Sequence, residues 1–291
     1  MTSPKEIVFI SGKGGTGKTT ITASMAAIAS PAVAIADCDV DASDMHLVTS
    51  PEVKRKEDFH GLDLPEIDPQ KCMNCNLCRD SCKFEAIDRD INVIEDRCEG
   101  CGVCELVCPV NAVTMKQRLD GEIYQSDTRF GPMVHAALKA GGEGSGKLVS
   151  MVRDWTRKKA SETEKELIII DGPPGIGCPV ISSITGADLS VIVTEPTVSG
   201  ISDLKRILEV TDHFDVKTLC IVNKWDLNKK KTAEIESFMG QRGIPVIGKL
   251  PYRTDFNLSQ IAKRTLFEES EEDIKYMLIE IWDNINSELS A

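Results

Sequence analysis

Gly12-Lys13-Gly14-Gly15-Thr16-Gly17-Lys18-Thr19 stands between a short β-branched and aromatic run, Glu6–Ser11, and a helix-like stretch, Thr19–Ser30. The segment fits G-x-x-x-x-G-K-[ST] in the strand-then-helix context that such a loop requires. Its glycines let backbone N–H groups converge on phosphate oxygens at a helix N-terminus. Lys18 is placed to neutralise β/γ-phosphates and the Thr19 hydroxyl to coordinate Mg²⁺. The expected nucleotide contacts run from Gly12 through Thr20.

Outward from this loop, Val33–Asp37 reads as a second buried strand and ends in an acidic string, Asp37, Asp39, Asp41 and Asp44. Further strands are expected at Glu166–Asp171, Leu189–Thr194, Thr218–Asn223 and Pro245–Leu250. Helices are expected between and after them at Lys147–Lys159, Ser199–Phe214, Lys229–Arg242 and Thr254–Phe267, with a last one at Glu269–Ser287. This alternation predicts an α/β fold, a doubly wound and mostly parallel sheet. Leu167–Asp171 is an apolar strand ending in an acid, which places Asp171 beside the phosphate loop as a second Mg²⁺ group. Ala140–Gly146 reads as a loop. Gly141–Lys147 imitates a second phosphate loop, but Leu148 replaces the required Ser/Thr and no strand precedes it.

From about Phe59 to Met115 the texture changes. Eight of the eleven cysteines fall in two runs, Cys72-x₂-Cys75-x₂-Cys78-x₃-Cys82 and Cys98-x₂-Cys101-x₂-Cys104-x₃-Cys108-Pro109. The block interrupts the α/β pattern, so the expected organisation is residues 1–58 and 119–291 as one nucleotide-binding domain, with 59–118 inserted. Cys72–Ile87 and Cys98–Val113 form a weak internal repeat. No secretory or membrane-spanning apolar run is evident, so the thiols point to metal in a reducing cytoplasm rather than to disulfides. A net charge of −12 argues against nucleic acid or an anionic membrane as partner. His46, His60, His135 and His213 form no spaced constellation.

Lys13, in the form KGGTGKT, resembles the deviant phosphate loop of the family that includes MinD, ParA, the Mrp-type iron–sulfur ATPases and the nitrogenase iron protein. The resemblance implies ATP with Mg²⁺ and a nucleotide-sandwich homodimer, in which Lys13 reaches the partner's nucleotide. Taken alone, Lys13 also reads as a solvated loop cation. Asp37–Asp41 is similar to the family's first switch, with Asp39 positioning the attacking water. Gly172-Pro173-Pro174-Gly175-Ile176-Gly177 is similar to its second. The catalytic set implied is Lys13, Lys18, Asp39 and Asp171. The family also places an Asn at the position of Asn223, followed by Lys224, on the adenine. Asn223-Lys224-Trp225-Asp226 equally fits N-K-x-D, which keeps GTP open as the alternative.

The cysteine runs resemble two-cluster bacterial ferredoxins over Ile67–Met115, departing from them at Lys83 where Pro is usual. Three close thiolates wrap one [4Fe–4S] cluster and the fourth serves the other. The resulting sets are Cys72, Cys75, Cys78 and Cys108, and Cys98, Cys101, Cys104 and Cys82; zinc is the competing metal. Cys38 and Cys220 read as core thiols. Cys178 lies at the offset where the nitrogenase iron protein has a bridging ligand, against the alternative of a buried thiol.

The function expected is nucleotide-driven: an ATPase coupled to iron–sulfur clusters and serving metallocofactor assembly, with a client or redox protein as partner. The alternative is an ATP-gated electron carrier. A MinD-like positioning switch fits less well, because Glu268, Glu269, Glu271, Glu272 and Asp273 make the C-terminal region acidic where that protein has a basic membrane helix.

Overall fold

The computed structural model describes residues 3–139, 141–142 and 145–290. In chain order its elements are β1 (Lys5–Ser11), α1 (Lys18–Ala29), β2 (Val33–Asp37), α2 (Met45–Thr49), β3 (Glu52–Ile67), α3 (Leu77–Ser81), α4 (Val103–Leu106), β4 (Val113–Asp127) and β5 (Pro132–Leu138). There follow α5 (Ser145–Glu162), β6 (Leu167–Pro174), α6 (Cys178–Ile184), β7 (Leu189–Thr194), α7 (Val198–His213), β8 (Thr218–Asn223), α8 (Lys229–Gln241), β9 (Val246–Leu250), α9 (Asp255–Ile261), α10 (Leu266–Glu269) and α11 (Glu272–Ser290).

The strands lie in the order β3-β4-β5-β2-β6-β1-β7-β8-β9. Pairing is parallel from β5 through to β9. The α/β fold and the mostly parallel sheet are therefore as the strand–helix alternation implies. Ile7–Ile10, Val33–Ala36, Ile168–Ile170 and Val191–Val193 are almost wholly inaccessible, as strands covered on both faces must be. That is why they read as unbroken apolar runs.

The chain divides into two compact units, Met1–Lys56 with Ile123–Ala137 and Ser145–Ala291, and Glu57–Glu122 with Leu138–Gly144. The cysteine runs lie in the second. β3 and β4 each cross the boundary between units along their own length. These strands and β5 were not anticipated. β3 opens with the charged run Glu52-Val53-Lys54-Arg55-Lys56-Glu57-Asp58, which lacks the apolar face that marks a strand from sequence. The expected helix Thr254–Phe267 is two helices instead. Lys263 takes φ 55° and breaks the first, and Thr265 starts the second with a capping box to Glu268. Of the expected loop Ala140–Gly146, Ala140, Glu143 and Gly144 lie outside the described residues.

One buried carboxylate, paired with two arginines, ties β1 to the helices packed on it. Glu6, at 5% exposure, pairs with Arg153, at 4%, and with Arg157. Arg153 also donates to the carbonyls of Ser182 (2.7 Å) and Thr185 (2.8 Å), which ties α5 to α6 and to β1. Removing one partner of such a pair leaves a buried charge without compensation. Glu6→Ala is expected to destabilise the protein by about 3–5 kcal/mol, read as a lower urea midpoint at unchanged slope.

Candidate functional site

β1 delivers the phosphate loop to the carboxyl edge of the sheet, and Lys18 opens α1. Gly17 takes φ +87°, and a Cβ there would lie 2.3 Å from the amide nitrogen of Asn223. Only glycine meets both conditions. Asn223, at the end of β8, donates from Nδ2 to the Thr16 carbonyl (2.8 Å) and accepts from the Lys224 N–H (2.9 Å). Lys224 Nζ donates to the Gly15 carbonyl (2.9 Å). Two successive loop carbonyls are thus held from β8. Asn223 lines a hollow beside the loop, yet both ends of its side chain are engaged with backbone.

Asp171, fully buried, is the centre of the phosphate side. It accepts from Lys18 Nζ (2.9 Å), Thr19 Oγ1 (2.7 Å) and Thr22 Oγ1 (3.0 Å). Lys18 Nζ also lies 3.6 Å from Asp39 Oδ2. Burial alone would lower Lys18, but Asp171 and Asp39 outweigh it and hold the ammonium above its ordinary value. Asp37 is buried beside them, accepting from Ser43 Oγ (2.6 Å) and the Asp39 N–H (3.1 Å). Burial, reinforced by the Asp171 charge, pushes Asp37 up to about 7, and burial pushes Asp39 up to about 6. Asp41 and Asp44 are exposed, and Asp44 precedes α2 without a side-chain cap bond.

Lys13 is paired within its own chain. Its Nζ meets Glu195 Oε1 (2.6 Å), Ser199 Oγ (2.9 Å) and Thr197 Oγ1 (3.3 Å). The other oxygen of Glu195 takes Lys224 (3.0 Å), so one carboxylate joins the loop's first lysine to the lysine that holds Gly15. Though Glu195 is partly buried, these two ammonium groups keep its carboxyl below the usual carboxylate range. Sequence reading missed Glu195, Thr22 and the role of Asp37. The available signal was position, since Glu195 follows β7 at the same sheet edge as Asp37, Asp171 and Asn223.

Two hollows adjoin the loop. One, of about 300 Å³, is walled by Ser11, Gly14–Thr20, Asp39, Asp44, Leu47, Val48 and Pro174. The other, of about 330 Å³, is walled by Asn223, Lys224, Pro251, Tyr252, Arg253, Phe256, Asn257 and Gln260. Thr16 Oγ1 is buried at the first without a hydrogen-bond partner. That orphan oxygen, the loop and the adjoining Thr19–Asp171 pair fit a Mg²⁺–nucleotide: Thr19 and Asp171 offer oxygens to the cation and Lys18 a charge to phosphate. Asp226 Oδ1 accepts from the Tyr252 N–H (2.7 Å), so this acid helps shape the turn beside the second hollow.

In the second unit the eight cysteines gather as two sets. Cys72, Cys75, Cys78 and Cys108 line one hollow with Ile67, Ile91 and Val113. Cys82, Cys98, Cys101 and Cys104 line the other with Phe84, Ile87 and Met115. The backbone repeats at an offset of 26 residues, as from Cys72 to Cys98. Asn74 and Asn76 share positive φ with Gly100 and Gly102, as Glu85 does with Asn111. The Ala86 N–H donates to Cys82 Sγ (3.4 Å) and the Ala112 N–H to Cys108 Sγ (3.2 Å). The halves also exchange equivalent bonds, Asp68 N–H to Ala112 O and Ile94 N–H to Ala86 O, both 2.8 Å. Among the described residues no three His, Cys, Asp or Glu side chains converge to hold a single ion. Soft thiolate donors around an apolar hollow fit a cluster, with each set supplying four.

Burial pushes the Cys104 thiol up to about 11, whereas backbone N–H donors outweigh burial at Cys108 and hold it below its usual value. Cys38 and Cys220 are buried thiols in the core. Cys178 is exposed at the start of α6, not buried. His46 and His135 stack with ring centroids 6.4 Å apart, and His135 bonds Ser126 (3.0 Å), a pairing that spacing could not reveal.

The raised Asp37 sets a pH dependence. Its proton is retained in the fold up to about pH 7 but leaves the unfolded chain near the ordinary value of 3.8. Stability from this group is therefore complete below the unfolded value and lost as pH rises through about 7. Asp37→Asn, in nucleotide-free protein with chelator, is expected to flatten the loss of stability between pH 5 and 8, measured by urea denaturation across that range.

Comparison with known proteins places the chain in a family. Residues 7–266 match the CobQ/CobB/MinD/ParA nucleotide binding domain. The uncharacterized protein MJ0578 of Methanocaldococcus jannaschii is 39% identical over 226 residues, 77% of this chain and 79% of that protein. The pyruvate synthase subunit PorD of Methanothermobacter marburgensis is 38% identical over 53 residues, 18% of this chain and 65% of that subunit. Among solved structures, the septum site-determining protein MinD from Pyrococcus horikoshii, complexed with Mg-ADP, superposes with a TM-score of 0.60 at 15% identity, covering 97% of this chain and 96% of that one. With its phosphate loop and matching domain, the chain belongs to the CobQ/CobB/MinD/ParA nucleotide-binding family, whose MinD/ParA members are ATPases.

Proposed function

We propose that the chain hydrolyses ATP and couples that cycle to electron movement through two resident [4Fe–4S] clusters. The observation that carries the reading is the partition of all eight block cysteines into two complete sets of four. A complete internal set suits a retained electron carrier better than a cluster held for delivery. The short likeness to PorD, by name a subunit of a pyruvate synthase, points the same way. Metallocofactor assembly is the second reading, and its specific support is the exposed Cys178 thiol in the segment after Asp171.

In the hydrolytic step Lys18 neutralises phosphate charge, Thr19 and Asp171 hold Mg²⁺, and Asp39 orients the attacking water. Asn223 and Lys224 keep the loop in shape for this. ATP rather than GTP is favoured by the MinD/ParA relatives, which are ATPases, and one oxygen of Asp226 is engaged by the Tyr252 N–H. Lys13 must exchange its bond to Glu195 for the partner's nucleotide, which makes a homodimer the active form. The clusters, when bound, supply one-electron capacity. The partner on this proposal is a redox protein in a reducing cytoplasm.

Lys13→Ala is expected to retain nucleotide but lose hydrolysis by about two orders of magnitude or more, with no nucleotide-induced dimer on sedimentation. Anaerobically purified protein is expected to carry about eight irons per chain, and Cys108→Ser to keep about half. Electron paramagnetic resonance titration, with and without an ATP analogue and Mg²⁺, tests the coupling. Potentials that move with nucleotide support the electron carrier. Unchanged potentials with both clusters present shift the function to assembly, and absence of iron removes the cluster reading.

A further inference from the structure

Arg129 sits in the four-residue turn between β4 and β5. The turn is stiff: the Thr128 N–H and Oγ1 both donate to the Gly131 carbonyl, at 3.0 and 2.7 Å. It is also seated on β2, where a Cβ at Gly131 would stand 2.2 Å from the Val33 carbonyl. From this base the Arg129 guanidinium makes a fork on Glu268 at 2.6 and 2.9 Å, and Nη2 donates to the Val48 carbonyl at 2.7 Å.

These partners belong to different parts of the nucleotide site. Val48 is near the end of α2, so its carbonyl is one that a five-residue helix leaves without an internal partner. Leu47 and Val48 wall the phosphate-side hollow together with Asp39 and Asp44. Glu268 closes the capping box of α10, and the Phe267 N–H of that helix donates to Ser24 Oγ (3.3 Å) on α1, the helix of the phosphate loop. After α2 the chain passes through Ser50 and Pro51 straight into β3. Both strands that lead into and out of the cysteine unit therefore begin or end at the α2–Arg129 junction.

We propose that Arg129 is a positioning residue that links occupancy of the phosphate pocket to β3 and β4, by holding the carbonyl end of α2 to the β4–β5 turn. The role rests on the nucleotide-dependent function proposed above. A γ-phosphate that displaces the segment from Asp37 to Asp44 displaces α2 with it. The shift reaches β3 through the chain and β4 through Arg129. The bond from Nη2 to the Val48 carbonyl carries the link, and the fork on Glu268 orients the guanidinium for it.

The test is amide hydrogen exchange on the full chain, with and without Mg²⁺ and β,γ-imido-ATP, alongside nucleotide affinity by fluorescence. In the wild type, nucleotide is expected to change exchange at residues 52–56 and 123–127. Arg129→Gln, whose amide stops short of Val48, is expected to cut that change about fivefold at unaltered affinity. Glu268→Gln removes the same ion pair but leaves the bond to Val48, and is expected to keep the change. The role is overturned if Arg129→Gln keeps the full change, or if both variants lose it in step with their melting temperatures. It is also overturned if the wild type binds nucleotide without any change in these strands. A wild type that binds no nucleotide overturns the functional reading itself, and this role with it.

Discussion

The burial of Asp171 against Lys18 is the constraint on which the nucleotide site depends. A fully buried carboxylate is tolerated only when paired and hydrogen-bonded, and here one ammonium and two threonine hydroxyls meet that need. The balance is incomplete, because Asp37 and Asp39 bring two further carboxyls to the same ammonium. Such a site is more acidic than a phosphate ligand favours. A divalent cation held there would relieve the conflict, which Lys18 alone does not.

Sheet order explains how distant residues reach this point. β2, β6, β1, β7 and β8 are neighbours and parallel, so their carboxyl ends lie along one edge. Asp37, Asp171, the phosphate loop, Glu195 and Asn223 issue from those ends in that order. Lys13 and Lys224 are far apart in sequence but share the Glu195 carboxylate, because β1, β7 and β8 are consecutive in the sheet.

Much of this was legible in advance. Val33–Asp37, Leu189–Thr194 and Thr218–Asn223 have the bounds that their apolar runs suggest, since doubly covered strands carry their burial in composition. The phosphate loop was equally plain, because its chemistry is contiguous. What stayed hidden depends on long-range placement. Glu195 is an ordinary acid until β7 aligns beside β1, and the Asn223 amide braces Thr16 only because β8 lies at the same edge of the sheet. β3 hid behind the charged run from Glu52 to Asp58, which carries no alternating apolar pattern. Lys263 ended a helix through its backbone angle, which the residue type did not foretell.

The repeat within the cysteine unit is interlocked. Each hollow takes three thiols from one half and a fourth from the other, Cys108 for the first and Cys82 for the second. The halves also trade backbone bonds at Asp68–Ala112 and Ile94–Ala86. Neither half holds a full complement by itself. Because the two halves share one chain, each meets its complement as an internal encounter whose success does not depend on protein concentration.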